Sequence, residues 1–189
     1  MPPYNAHLVV CVQGQPTDWP SVGKDRKVPT DFATSLHFPA RLESVWTMLR
    51  SESYLLAKCA DTSEHTFSVV DNEGTCTVTV ERTLNTELPP IARNLVGDRV
   101  TLREVQVWTS SKTGHSGAFD ISVPNAPISV RATANLEAVG AECVMSITGT
   151  ITVTVPLFSN MAESFMRSQI DEVLAAEHAV GLAWLAENA

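Results

Sequence analysis

The order in which hydrophobic patterns succeed one another constrains this chain more than any other feature. One alternating stretch leads into two short helical stretches. A long run of alternating stretches follows, and a single long amphipathic helix closes the sequence. Period-two alternation marks strands and a 3.6-residue period marks helices. Strands joined by tight turns pair antiparallel, and a sheet with one apolar face must cover that face. The order β-α-α-β-β-β-β-β-β-α thus predicts an α+β fold. In it, a strongly curved antiparallel sheet of about seven strands wraps around the long C-terminal helix, with a cavity between them.

The individual elements follow from local signals. Asp31 to Phe38 is the first expected strand, with Phe32, Thr34, Leu36 and Phe38 on one face. Pro39 suits a first helical turn, where its missing N–H has no partner to lose. Leu42, Val45, Trp46 and Leu49 form one helical stripe, and Glu52 to Ala60 fits a second short helix. Thr66–Asp71 and Thr75–Asn85 flank the turn Asn72-Glu73-Gly74, with Cys76, Val78, Val80 and Leu84 on the apolar face. Pro89-Pro90 interrupts the sheet, and Ile91, Leu95 and Val96 are spaced for a short helix. Strands resume at Arg99–Thr109, His115–Val123, Ile128–Ala138 and Glu142–Val155. Asn160 with Glu163 forms a capping box opening a helix that runs to about Glu187. At ~1.5 Å per residue it is long enough to cross the whole sheet.

Composition narrows the function classes. A chain of 189 residues with 44% hydrophobic and 18% charged residues suits one domain that needs no disulfide or metal to fold. Residues 1–29 read as a poorly ordered extension with thin apolar patterning, and residues 30–189 as the domain. The net charge is −8. The first thirty residues carry one more base than acid, so the body is more acidic still. No basic stripe is available for phosphates, which argues against nucleic acid and anionic membrane surfaces. No stretch approaches the ~18 apolar residues of a membrane span, so no stable insertion is expected. His7 to Val12 lacks the basic and apolar regions of a signal peptide. Cys11, Cys59, Cys76 and Cys143 are dispersed, which suits buried thiols in a reducing cytoplasm.

Neither metal nor cofactor is expected. The five histidines are scattered, and no Gly-rich phosphate loop is present. His37 falls opposite Leu36 and Phe38 on its strand, and His178 on the polar face of the last helix. Gly114-His115-Ser116-Gly117 falls short of a nucleophile elbow because Ala118 stands where the last glycine is needed, in a hairpin rather than a strand-to-helix turn.

A single helix cannot fill a strongly curved sheet, so some space remains unless loops and short helices plug it. An empty apolar hole costs about 24 cal/mol per Å³. At ~500 Å³ that is about 12 kcal/mol, comparable with a whole domain's stability. Such a cavity is collapsed, wet or filled.

Its candidate walls come from each element in turn. Trp46 projects from the first helix, Val78 and Val80 from the first hairpin, Phe119 from the fifth strand, and Met145 and Ile147 from the last. The C-terminal helix supplies an apolar face of Ala162, Phe165, Met166, Val173, Ala176, Val180 and Trp184, interrupted by Gln169. That buried amide either contacts ligand or trapped water, or bonds a neighbouring side chain. Trp108 and Trp184 either line the cavity or pack as ordinary core. Strand 99–109 is ambiguous in phase. Either Trp108 faces inward and brings Glu104 and Gln106 as a polar wall, or Val105 and Val107 face inward instead. Arg82, Asp120, Arg131 and Asn135 are expected on the convex face or rim, because strand charges usually face water. Ile91, Leu95 and Val96 form either a lid or a packed connector.

Five stretches carry a family resemblance: Asp31 to Leu49, EVQVW at 104–108, ISVPNAP at 121–127, GTITVTVPL at 149–157 and AEHAVGLAWLAE at 176–187. With them, residues 30–187 resemble the START-like, helix-grip (SRPBCC) superfamily. Its members include the birch-pollen allergen, lipid-transfer START domains and aromatic polyketide cyclases. The chain is most similar to an actinobacterial START-like family catalogued as a domain of unknown function. The resemblance implies the helix-grip fold and a ligand cavity between sheet and helix. It carries over no catalytic residues, because its motifs serve packing and turns.

The expected function is binding of a small hydrophobic or amphipathic molecule, such as a lipid, polyketide or isoprenoid, without catalysis. One alternative is a cyclase- or dehydratase-type enzyme with Glu104 as its acid or base. A second is an interaction domain whose cavity has collapsed.

Overall fold

The computed structural model describes the backbone of residues 26–84, 99–124, 128–155 and 160–188, and side chains within 29–83, 99–124, 128–152 and 170–188. The elements run β1 (Arg26–Phe38), α1 (Leu42–Arg50), α2 (Glu52–Lys58), β2 (Thr62–Asn72), β3 (Thr75–Leu84), β4 (Val100–Ser110), β5 (Gly114–Ser122), β6 (Ile128–Val139), β7 (Glu142–Val155) and α3 (Asn160–Asn188). The strands form one seven-stranded antiparallel sheet in the order β1-β7-β6-β5-β4-β3-β2. The sheet is curved, and α1, α2 and α3 complete the helix-grip α+β fold.

β1 starts at Arg26, five residues before the expected Asp31. Arg26 to Thr30 find antiparallel partners in Val155 to Ile151 of β7. Arg26 to Pro29, assigned from sequence to the N-terminal extension, therefore belong to the sheet. Pro39 and Ala40 form a bend before α1 rather than its first turn. Ser51 then caps α2, its Oγ accepting the Tyr54 N–H at 3.2 Å. The β2–β3 and β6–β7 turns place Gly74 and Gly140 at positive φ, which glycine adopts without steric cost. The lid segment with Ile91, Leu95 and Val96 lies outside the described residues.

Register aligns inward-facing side chains into transverse rows. One row is Cys76, Trp108, Gly117, Ala134, Ile147 and Thr34; the next is Val78, Gln106, Phe119, Ala132, Gly149 and Phe32. A third is Val80, Glu104, Ile121, Val130, Ile151 and Thr30. The core lies between these rows and the three helices, with Val45, Met48, Leu55 and Leu136 fully buried.

The stripe by which α3 meets the core differs from the one expected. Ile170, Leu174, Glu177, Gly181 and Leu185 face inward, whereas Val173 is 45% exposed and Ala176 is exposed. Val173 is thus no cavity wall. A Cβ at Gly181 would come within 3.1 Å of Phe38 and 3.2 Å of Met48, so α3 seats itself closely at that point. This contact sets the helix's rotation and turns Val173 outward.

Candidate functional site

The phase of β4 decides the character of the concave face. Trp108 is 1% exposed, and Glu104 and Gln106 are 5% and 6% exposed, while Val107 is 40% exposed. The strand thus presents its polar residues inward, beneath the helices. A carboxylate buried this deeply requires partners, because removing a charge from water costs several kcal/mol. α2 and β3 supply them. Lys58, the last residue of α2, donates to Glu104 Oε1 at 2.9 Å and Oε2 at 2.8 Å. Its Nζ also lies 3.2 Å from Glu177 Oε1 on α3. Arg82 of β3 donates from Nη2 to Glu177 Oε1 at 3.0 Å and from Nη1 to the Lys58 carbonyl at 3.1 Å. Gln106 Nε2 donates to Glu104 Oε1, and the Trp108 indole N–H donates to Gln106 Oε1 at 2.8 Å.

The result is a continuous polar chain from Trp108 to α3, with two cations facing two carboxylates. Its electrostatics keep Glu104, Lys58 and Arg82 ionised. Burial pushes Glu104 upward, but Lys58 and Arg82, with hydrogen bonds from Lys58 and Gln106, hold its carboxyl below the usual range. Burial likewise works against Lys58 and Arg82, and the facing carboxylates outweigh it, so both stay above their ordinary values. Burial raises the nearby Tyr54 hydroxyl, leaving it neutral.

Arg82 therefore corrects the sequence expectation. It points inward with Cys76, Val78 and Val80, its own alternation partners, and not to the convex face. Asp120 and Arg131 lie on the exposed side, 3.4 Å apart. Asn135 does too, accepting from Ser116.

Two glycines shape the floor beside this chain. A Cβ on Gly117 would sit 2.8 Å from the Trp108 ring, and one on Gly149 would sit 2.7 Å from Phe32, Ala132 and a backbone carbonyl. The Trp108 ring thus lies close over Gly117, and the tip of Phe32 reaches Gly149. Past them, Leu102, Phe119, Ile121, Val130 and Ala132 face inward but remain only half-buried. Phe119 meets Trp108 edge-on at 5.4 Å.

The remaining candidates separate. Val78, Val80, Met145 and Ile147 are buried in the core alongside β4. Trp46 sits at the other end, stacked on His115 at 4.1 Å and edge-on to Trp108 at 5.7 Å. There it borders a cleft of about 230 Å³ with Arg50, Asp71, Gly74, Cys76 and Ser110, and Arg50 lies 4.7 Å from its ring centre. Trp184 is half-buried and donates to Ser53 of α2 at 2.8 Å, so it ties two helices together. The side chains of Phe165, Met166 and Gln169 lie outside the described residues.

His178, expected on α3's polar face, is partly buried; its ring bonds the His37 carbonyl and meets Phe38 edge-on. Cys59, Cys76 and Cys143 are free buried thiols, and burial, with Asp71 beside it, pushes Cys76 up to about 11. Among the described residues no helix is long and apolar enough to cross a membrane.

Sequence reasoning overlooked Lys58, Arg82 and Glu177. The parity of β3 was a signal for Arg82. Nothing local marks Lys58 or Glu177, whose partners are distant in sequence.

Comparison with known proteins agrees with this architecture. The family described as Protein of unknown function (DUF2505) matches residues 33–185. No curated protein matches. Similar solved structures include TTHA0849 from Thermus thermophilus, with 14% identity and a TM-score of 0.53 over 81% of this chain and 97% of that one. The Zhui aromatase/cyclase from a Streptomyces species gives 10% identity and 0.52 over 85% and 94%. Ara h 8.0201 gives 8% identity and 0.55 over 85% and 99%. At these identities the likeness is one of fold.

Proposed function

Because the chain belongs to the DUF2505 family, a START-like family of unknown function, its role has to be read from its own concave face, and we propose that it binds a small hydrophobic or amphipathic molecule between the sheet and α3. The observation that carries this reading is the strip Leu102, Phe119, Ile121, Val130 and Ala132. These side chains face the concave side yet stay half-buried. Covering apolar surface there contributes about 25 cal/mol per Å² before the costs of association. The close seating of Trp108 over Gly117 and of Phe32 against Gly149 favours the same reading, since neither glycine adds a side chain to the floor. A lipid, polyketide or isoprenoid skeleton suits such a surface, and the binding unit is the expected domain of residues 30–189 extended to the start of β1 at Arg26. The Zhui protein is an aromatase/cyclase, which makes a polyketide-like skeleton a reasonable member of the test set.

The enzymatic alternative rests on Glu104, and the geometry around it argues for a structural role. Both its oxygens are engaged, and its carboxyl is held ionised below the range a general acid needs near neutral pH. The binding reading is tested by native mass spectrometry of freshly purified protein and by titration with the neutral dye Nile red. Co-purified apolar molecules or saturable dye uptake are expected, with Ala132→Phe reducing uptake at least about tenfold by filling the strip. Wild-type protein that carries no ligand and takes up no dye would refute it.

A further inference from the structure

Resting on that binding reading, we infer that the ligand is uncharged where it meets the concave face, so that the site discriminates against carboxylates and favours neutral alcohols, carbonyls or hydrocarbons. The polar chain is satisfied from within. Lys58 donates to both oxygens of Glu104 and holds Glu177 in an ion pair at 3.2 Å. Arg82 is committed to Glu177 and to the Lys58 carbonyl. Gln106 bridges Glu104 and the Trp108 indole. Among the described residues, Lys58 and Arg82 are the basic side chains of the concave face; Arg99, Arg103 and Arg131 are exposed elsewhere. The cluster holds two positive and two negative charges and offers no surplus cation.

Register places this balanced cluster directly beside the apolar strip. Glu104 is paired with Ile121 and Gln106 with Phe119 on β5, and Arg82 with Leu102 on β4. A carboxylate brought onto the strip gives up its water and finds no unpaired cation of the concave face among the described residues to replace it. A hydroxyl or carbonyl loses far less hydration and needs no counter-charge. The inference also gives the cluster a task. A buried ion pair is seldom more stabilising than an apolar substitute, but one balanced to zero leaves a charged ligand no counter-ion beside it.

The experiment uses full-length protein stripped of lipid, with Nile red displaced by dodecan-1-ol or by dodecanoate at neutral pH and low salt. The alcohol is expected to bind at least about tenfold more tightly. Glu177→Gln leaves two cations against one carboxylate and is expected to narrow that ratio. Arg82→Gln leaves an excess of negative charge and is expected to widen it. The two variants carry opposite signs, so either one that folds, as judged by circular dichroism, tests the idea. Dodecanoate binding as tightly as the alcohol would overturn the inference while leaving the binding reading intact. So would a ratio that neither folded variant moves. Failure of wild-type protein to take up Nile red or either competitor would overturn the binding reading, and this inference with it.

Discussion

The two ends of the concave face are built from the same strands with the same alternation, yet they are finished differently. At the α1 end, Leu36, Leu136, Cys143 and Met145 lie under Val45, Trp46 and Met48, and all of these are buried. At the other end, Ile121 and Val130 carry side chains as apolar as their counterparts but stay half-buried. The strands do not cause the difference; what sits above them does. α3 shows this within one turn. At Gly181 it approaches Phe38 and Met48 as closely as backbone allows, while at Glu177 it is held off by the long side chains of Lys58 and Arg82. Four residues along a helix are about 6 Å. Over that distance the contact changes from direct packing to an ionic strut. A strut of paired charges keeps a helix at a distance that aliphatic packing would close. The strip beside this strut stays half-buried.

The strongest way to break this comparison is to remove the strut. Lys58→Met leaves the Glu104 carboxylate buried without its main partner, and losing one member of a buried pair costs about 3–5 kcal/mol. Urea denaturation is expected to show a loss of that order. The double variant Lys58→Met with Glu104→Leu is expected to recover more than half of it, since an apolar replacement removes the orphaned charge. A double variant as unstable as the single would mean that Lys58 acts through something other than Glu104.

Next in size are truncations that compare the two ends directly. Leu136→Ala, at a fully buried position under α1, is expected to cost about 3 kcal/mol. Val130→Ala, further along the same strand and half-buried, is expected to cost about 1 kcal/mol or less. Equal losses would show that the strip is as tightly packed as the closed end. Gly117→Ala sits at the boundary. Its methyl would press on the Trp108 ring, and such overpacking costs about 1–3 kcal/mol. A shift in tryptophan fluorescence should accompany it as the ring lifts from the sheet.

Most of the architecture was legible because alternation is local. The strands β3, β6 and β7, the turns at Gly74 and Gly140, and the bounds of α3 follow from spacing within a few residues. The phase of β4 was not decidable locally, since Val105 and Val107 compete with Trp108 for the inside. The burial of Glu104 and Gln106 depends on Lys58 from α2, 46 residues away in the chain. The rotation of α3 was legible at Val180 and Trp184, which pack against the core, and missed at Val173 and Ala176 for the same reason. A reading by hydrophobicity favours Val173 and Ala176 and rejects Glu177 and Gly181. Only the approach of Arg82, 95 residues away, makes an inward glutamate acceptable. Phe119 was legible as an inward position, while Glu104, Gln106 and Trp108 stood open between two phases that only the burial of β4 decides. The ionic character of the site was not legible, because charges are placed by partners and not by period.

The smallest effect separates the two ends by pH. His115 lies in the closed end, stacked on Trp46 and hydrogen-bonded to Ser110. Burial lowers its pKa below the ordinary 6.5; Glu43 opposes the shift and Arg50 reinforces it. The unfolded chain therefore takes up this proton first. Stability is fully present above about pH 6.5 and declines as pH falls toward the lowered folded value. Glu104 in the strut has a folded pKa held below the ordinary 4.5, so its contribution persists through that range and is lost only in stronger acid. Urea midpoints measured from about pH 7 to about pH 3 should thus fall in two separate stages. His115→Phe is expected to remove the first stage and leave the second. If the decline between about pH 7 and about pH 5 survives in that variant, the closed end does not titrate through His115, and the assignment of that window to the buried imidazole is wrong.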